Sequence, residues 1–139
     1  MTCTFFGHRD CPGSIINELK STIVELIERE GVDRFLVGDK GNFDDYVVRV
    51  LHDIKRDYPH IDYCVVLAYM PKINTSHPTL YPQGIEHVPK RFAISYRNEW
   101  MINNSDIVIG YISRSFGGAH SFFEKAKRKG KPCINLCKT

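Results

Sequence analysis

The chain has 139 residues, 42% of them hydrophobic, which suffices for one core without disulfide or metal staples, and a single domain over 1–139 is expected. Its net charge of +3 falls short of the basic bias that phosphate-backbone contacts demand, so nucleic acid is not an expected partner. Five cysteines without a Cys-x-x-Cys pair argue against a zinc set or disulfide framework; Cys3, Cys64 and Cys133 lie in apolar runs and read as reduced core residues of a cytoplasmic protein.

The first ten residues, MTCTFFGHRD, show no basic segment ahead of a long apolar one, and no run approaches membrane-spanning length, so neither export nor insertion is expected. TCTFF (2–6) predicts a strand. Ser14 is a candidate N-cap for a helix with Ile16, Leu19, Ile23, Leu26 and Ile27 on one face, stopped at Gly31. RFLVG (34–38) predicts the second strand, and Val47, Val50, Leu51 and Ile54 share a helical face before Pro59. YCVVLAY (63–69) is apolar on both faces and predicts a strand that is either central or covered on both sides. About twenty residues then follow without a period, carrying Pro71, Pro78, Pro82, Gly84 and Pro89, and they predict a functional flap. A helix over 89–104, a strand over 106–112, a helix from Gly118 and a strand over 132–136 complete the chain.

Strands alternating with helices predict a Rossmann-like three-layer α/β/α sandwich with a mostly parallel sheet of about five strands. Ligands in such folds bind beyond the carboxyl ends of the strands. The loops expected there hold Gly7, His8 and Arg9; Gly38, Lys40, Gly41 and Asn42; the flap; and the segment 113–118.

The glycine pair Gly117-Gly118 opens the last helix together with Ala119, His120 and Ser121. Such a mouth is either a tight strand-to-helix turn or an anion site, since the first helical turn leaves N–H groups unpaired at the positive end of the dipole. Glu124, about two turns in, is either a solvated surface acid or a group that orients a water or a ribose hydroxyl. Arg97, beside an apolar stripe of Ala93, Tyr96 and Trp100, is either a rim salt-bridge partner or a fork for phosphate. His8 and Arg9 could touch the same ligand or be solvated, and Asn42 or Asp44 could simply cap the second helix. The cations at 125, 127, 128, 129 and 131 suit a helix C-terminus and carry no site. No metal and no cofactor is expected.

The span from Arg97 to Glu124 resembles the signature of the Lonely Guy (LOG) proteins. There an Arg-Lys pair on a helix precedes a strand opened by Asp, then a Pro-Gly-Gly-x-Gly-Thr-x-x-Glu turn and helix. Here Arg97-Asn98 stands for Arg-Lys, Asp106 opens the strand, and GGAHSFFE (117–124) keeps both glycines and the glutamate in register. Asn98 replaces the lysine and His120-Ser121 replaces Gly-Thr, so the likeness is to the wider SLOG superfamily, which joins the LOG and Smf/DprA proteins. Within it the chain is similar to a short bacterial and phage branch marked by GHR (7–9) and RN-x-W-M (97–101).

The resemblance implies a nucleotide-derived small molecule as partner and a homodimer or larger assembly; Tyr96, Trp100 and Met101 also predict more apolar helix surface than one sheet face covers. It further implies either a binder that senses or sequesters its ligand or a phosphoribohydrolase that cleaves the N-glycosidic bond of nucleoside 5′-monophosphates, with Arg97 and Glu124 as catalytic pair. Single-stranded DNA binding is a third, weaker implication. His120 puts a side chain where the enzymes bring bare backbone against phosphate, and this favours the binder.

Overall fold

A computed structural model describes residues 1–70 and 76–138. One all-parallel sheet runs through it in the order β4-β3-β2-β1-β5-β6. In chain order the elements are β1 (Thr2–Gly7), α1 (Ile16–Glu25), β2 (Arg34–Val37), α2 (Gly41–Asp57), β3 (Asp62–Val66), β4 (Thr79–Leu80), α3 (Ala93–Asn103), β5 (Ile107–Tyr111), α4 (Gly118–Arg128) and β6 (Cys133–Asn135). The Rossmann-like sandwich read from the sequence is the fold observed.

Side chains alternate across a strand, so each strand feeds two cores. On one face Cys3, Phe5, Phe35 and Val65 meet Leu19 and Ile23 of α1 and Val47, Leu51 and Ile54 of α2. On the other, Phe6, Leu36, Val66 and Val108 meet Met101 and Ile102 of α3 and Phe123 and Ala126 of α4. Right-handed crossovers dictate this division. The chain steps outward from β1 to β3 in one direction and from β5 to β6 in the other, so the helices fall on opposite faces.

Three local expectations are corrected. The sheet has six strands, because Val65 N–H donates to the Pro78 carbonyl and Leu67 N–H to that of Leu80, each at 2.8 Å, and a two-residue edge strand leaves no periodic signal. The third strand closes at Val66, after which Leu67 and Ala68 stay buried while the ladder ends. Ser14 does not cap α1: a 3-10 turn, Gly13–Ile15, leads in from Pro12 without a side-chain cap. Of the expected flap, Pro71 and the rest of 71–75 lie outside the described residues, and Ile85 packs beside Ala68 and Ala93.

Much of the apolar surface of α3 packs within the chain. Met101 is 1% exposed, Trp100 packs against the second core, and Tyr96 packs beside Ile85 while its hydroxyl donates to the Gln83 carbonyl at 2.8 Å. The segment after β4 folds back over the helix and covers part of this surface, while Tyr96 and Trp100 stay partly exposed. Among the described residues no helix is long and apolar enough to cross a membrane.

Candidate functional site

β1 and β5 lie side by side with Gly7 opposite Tyr111, yet the chain leaves them toward opposite edges of the sheet. Their loops diverge, and a crevice forms beyond the carboxyl ends of the two strands, the usual ligand position in open α/β sheets. A cleft of about 270 Å³ opens there. Its walls come from the loop after β1 (Gly7, His8, Arg9), the approach to α2 (Lys40, Asp44), α3 (Arg97, Asn98), Arg114 after β5, and the start of α4 (Gly117, Gly118, Ala119).

Arg97 is its best-anchored cation and is only 2% exposed. Its Nη1 donates to Asp39 Oδ1 at 3.0 Å and to the Val66 carbonyl at 2.9 Å, while Nε donates to Asn98 Oδ1 at 2.8 Å. A guanidinium so held is preorganised, and the rim position considered from the sequence does not describe it. Asp44 stands close by. Its Oδ2 accepts the Lys40 N–H at 2.9 Å, closing the entrance to α2, and burial pushes its carboxyl up to about 7 against the opposing pull of that bond and of Arg97. Gly38 makes room for both groups: a Cβ there would stand 2.8 Å from Asp44 Oδ2 and 3.1 Å from Arg97 Cζ.

Arg114 Nη1 donates to Asp10 Oδ2 at 3.1 Å, tying the loop after β5 to the loop after β1. His8 is buried at 3% exposure rather than solvated, and burial, followed by the charge of Arg114, holds its imidazole below the usual histidine range. Among the described residues His8 Nε2 and Arg114 Nε are buried without a hydrogen-bond partner. Such atoms are uncommon and costly.

At the far wall, α4 starts without a side-chain cap, from Gly117 at φ 95°. Nothing lies within 4 Å of a Cβ built on Gly117 or Gly118, whereas at Gly7 it would strike the Phe43 ring and at Gly41 the Arg9 backbone. The glycines of the loops around the cleft thus divide: Gly7, Gly38 and Gly41 allow close packing, and Gly117 and Gly118 present open backbone.

Of the residues singled out from the sequence, Gly7, His8, Arg9, Lys40, Arg97, Gly117, Gly118 and Ala119 line the cleft. Gly38, Gly41 and Asn42 are not in the lining; Gly38 borders a second cleft with Asp39 and Asp45, and Asn42 N–H donates to the Arg9 carbonyl at 3.0 Å, joining α2 to the first loop. His120, Ser121 and Glu124 are not in the lining; Ser121 N–H closes the first turn on Gly117, and the Glu124 carboxylate pairs with Lys127 Nζ at 3.2 Å. Sequence reading passed over Arg114 and held Asp44 only as a weak candidate beside a capping role. The position of Arg114, just past a strand's carboxyl end, was the available signal. Burial raises the thiols of Cys3 and Cys11, the latter to about 11, so neither is a thiolate nucleophile. No protein-family model matches the chain, and no curated protein matches it.

Proposed function

We propose that the cleft binds a nucleotide-derived small molecule through its phosphate, as a sensing or sequestering module of the SLOG type in the cytoplasm. The observation that carries this reading is the charge of the cleft wall: Arg9, Lys40, Arg97 and Arg114 against the single carboxylate of Asp44, beside the uncapped start of α4. Arg9 and Lys40 enter no ion pair among the described residues. Backbone N–H groups at a helix start and unpaired cations together suit an anion. The orphaned His8 Nε2 and Arg114 Nε support a polar ligand at the same mouth.

The placement of Glu124 favours binding over N-glycosidic hydrolysis, because its carboxylate pairs along α4 and is absent from the cleft lining. The homo-oligomer belongs to this proposal through the family likeness alone. Thermal-shift titration with nucleoside mono-, di- and cyclic phosphates and dinucleotides at millimolar concentration tests the reading, with inorganic phosphate as control. At least one nucleotide should raise the melting temperature, and Lys40→Ala should abolish the rise. No shift with any of them would refute it. Multiple-turnover release of free base by wild type, lost in Glu124→Gln, would establish the hydrolase instead.

A further inference from the structure

We propose that Asp44 accepts hydrogen bonds from the ribose hydroxyls of the ligand, so that the cleft selects ribonucleotides over their deoxy counterparts. This rests on the nucleotide reading above and adds a specificity-determining residue to it. Asp44 is the one carboxylate in the wall, whose other polar side chains are four cations, His8 and Asn98. Cations and N–H groups serve phosphate; a carboxylate repels it and, when ionised, can only accept hydrogen bonds. An acid in such a cleft therefore needs a donor from the ligand, and sugar hydroxyls are the donors that accompany a phosphate in every nucleotide.

The geometry leaves Asp44 available for that task. Asp39, not Asp44, takes the ion pair with Arg97. The Lys40 N–H occupies Oδ2, and no second donor among the described residues reaches the carboxylate. Gly38 supplies the space in which Asp44 and Arg97 stand together, so the acid is held beside the cations. A helix cap alone does not require this placement, because an exposed Ser or Asn closes a first turn as well. Burying an acid that lacks a full set of donors costs the empty protein stability, and a ligand hydroxyl offsets that cost.

Isothermal titration of wild type and Asp44→Asn with the four ribonucleoside 5′-monophosphates and their 2′,3′-dideoxy forms tests the inference. Wild type should bind the best ribonucleotide at least about tenfold more tightly than its dideoxy form. Asp44→Asn should lose most of that ratio, and its dideoxy affinity should equal or exceed that of wild type, because the charge that opposes the phosphate is gone.

Wild type alone supplies a second readout, independent of how well the variant folds. The ratio of ribo to dideoxy affinity should rise between pH 6 and pH 8 as Asp44 ionises, and comparing the pair cancels the titration of the phosphate itself. The groups facing Asp44 are Arg97 from α3, Asp39 and the Lys40 N–H from the loop after β2, and Asp45 from α2. Arg9, the Lys40 side chain and His8 share the cleft wall, with His8 held low by burial. Equal binding of ribo and dideoxy forms by wild type would overturn the inference and leave the nucleotide reading standing. Failure of every nucleotide to bind would overturn both.

Discussion

Asp44→Asn should stabilise the empty protein, and more so in base than in acid. An Asp lifted from 3.8 to about 7 keeps its proton in the folded chain over a range where the unfolded chain has lost it. The folded state therefore binds more protons between those values, and stability falls as pH rises through them. The cost to wild type is ~2 kcal/mol at pH 5 and ~4 kcal/mol at pH 8, at about 1.4 kcal/mol per pH unit across that range. The asparagine carries no such cost, and its side-chain oxygen can still accept the Lys40 N–H. Any loss of packing in the variant is the same at both pH values and cancels in the comparison. The stability gap, variant minus wild type, should thus widen by ~2–3 kcal/mol from pH 5 to pH 8, or ~8 °C in Tm for a chain of this size. Denaturation of both proteins at the two pH values and constant ionic strength, without ligand, measures it. A gap that stays constant or narrows would refute the assignment of a raised carboxyl to Asp44.

The two kinds of glycine should part company under substitution. Gly38→Ala puts a Cβ 2.8 Å from Asp44 Oδ2 and should cost ~1–3 kcal/mol in urea melts, whereas Gly118→Ala meets nothing within 4 Å and should leave stability within ~1 kcal/mol of wild type while weakening nucleotide binding in titration. Arg97→Ala strands the Val66 carbonyl and Asp39, and should lose ~3 kcal/mol by denaturation. Arg114→Ala breaks a pair whose carboxylate is 70% exposed; it should cost under ~1 kcal/mol in stability yet lower nucleotide affinity severalfold.

The sandwich was legible because its evidence is periodic. Leu19, Ile23, Val47 and Leu51 recur at helical spacing, the strand runs are apolar and short, and all these residues are in the core. β4 was not legible, since two residues held by bonds from the Val65 and Leu67 N–H groups to the Pro78 and Leu80 carbonyls carry no pattern. The apolar residues of α3 were visible but their covering was not, because Ile85 reaches them only after the chain has crossed from the edge of the sheet. In the cleft, His8 and the Gly117-Gly118 mouth were found from loop position and glycine content, and Arg97 from its place beside the apolar stripe of a helix and the LOG-like signature. The same glycine signal also pointed to Gly38 and Gly41, where the cause is side-chain and backbone crowding rather than an open anion seat.

That crowding links packing to function at Gly38. A larger residue there would separate Asp44 from Arg97, and the sequence shows only a glycine between a strand and a helix. The pairing needs three distant parts of the chain at once: Arg97 in α3, the Val66 carbonyl at the end of β3 and Asp39 after β2. Because Asp39 and Val66 already hold the guanidinium, its charge can stay in the cleft without Asp44 as its counter-ion. Asp44 is then left as an acceptor in a cationic wall, where its burial makes the empty state less stable and gives a hydroxyl-bearing ligand the most to offset.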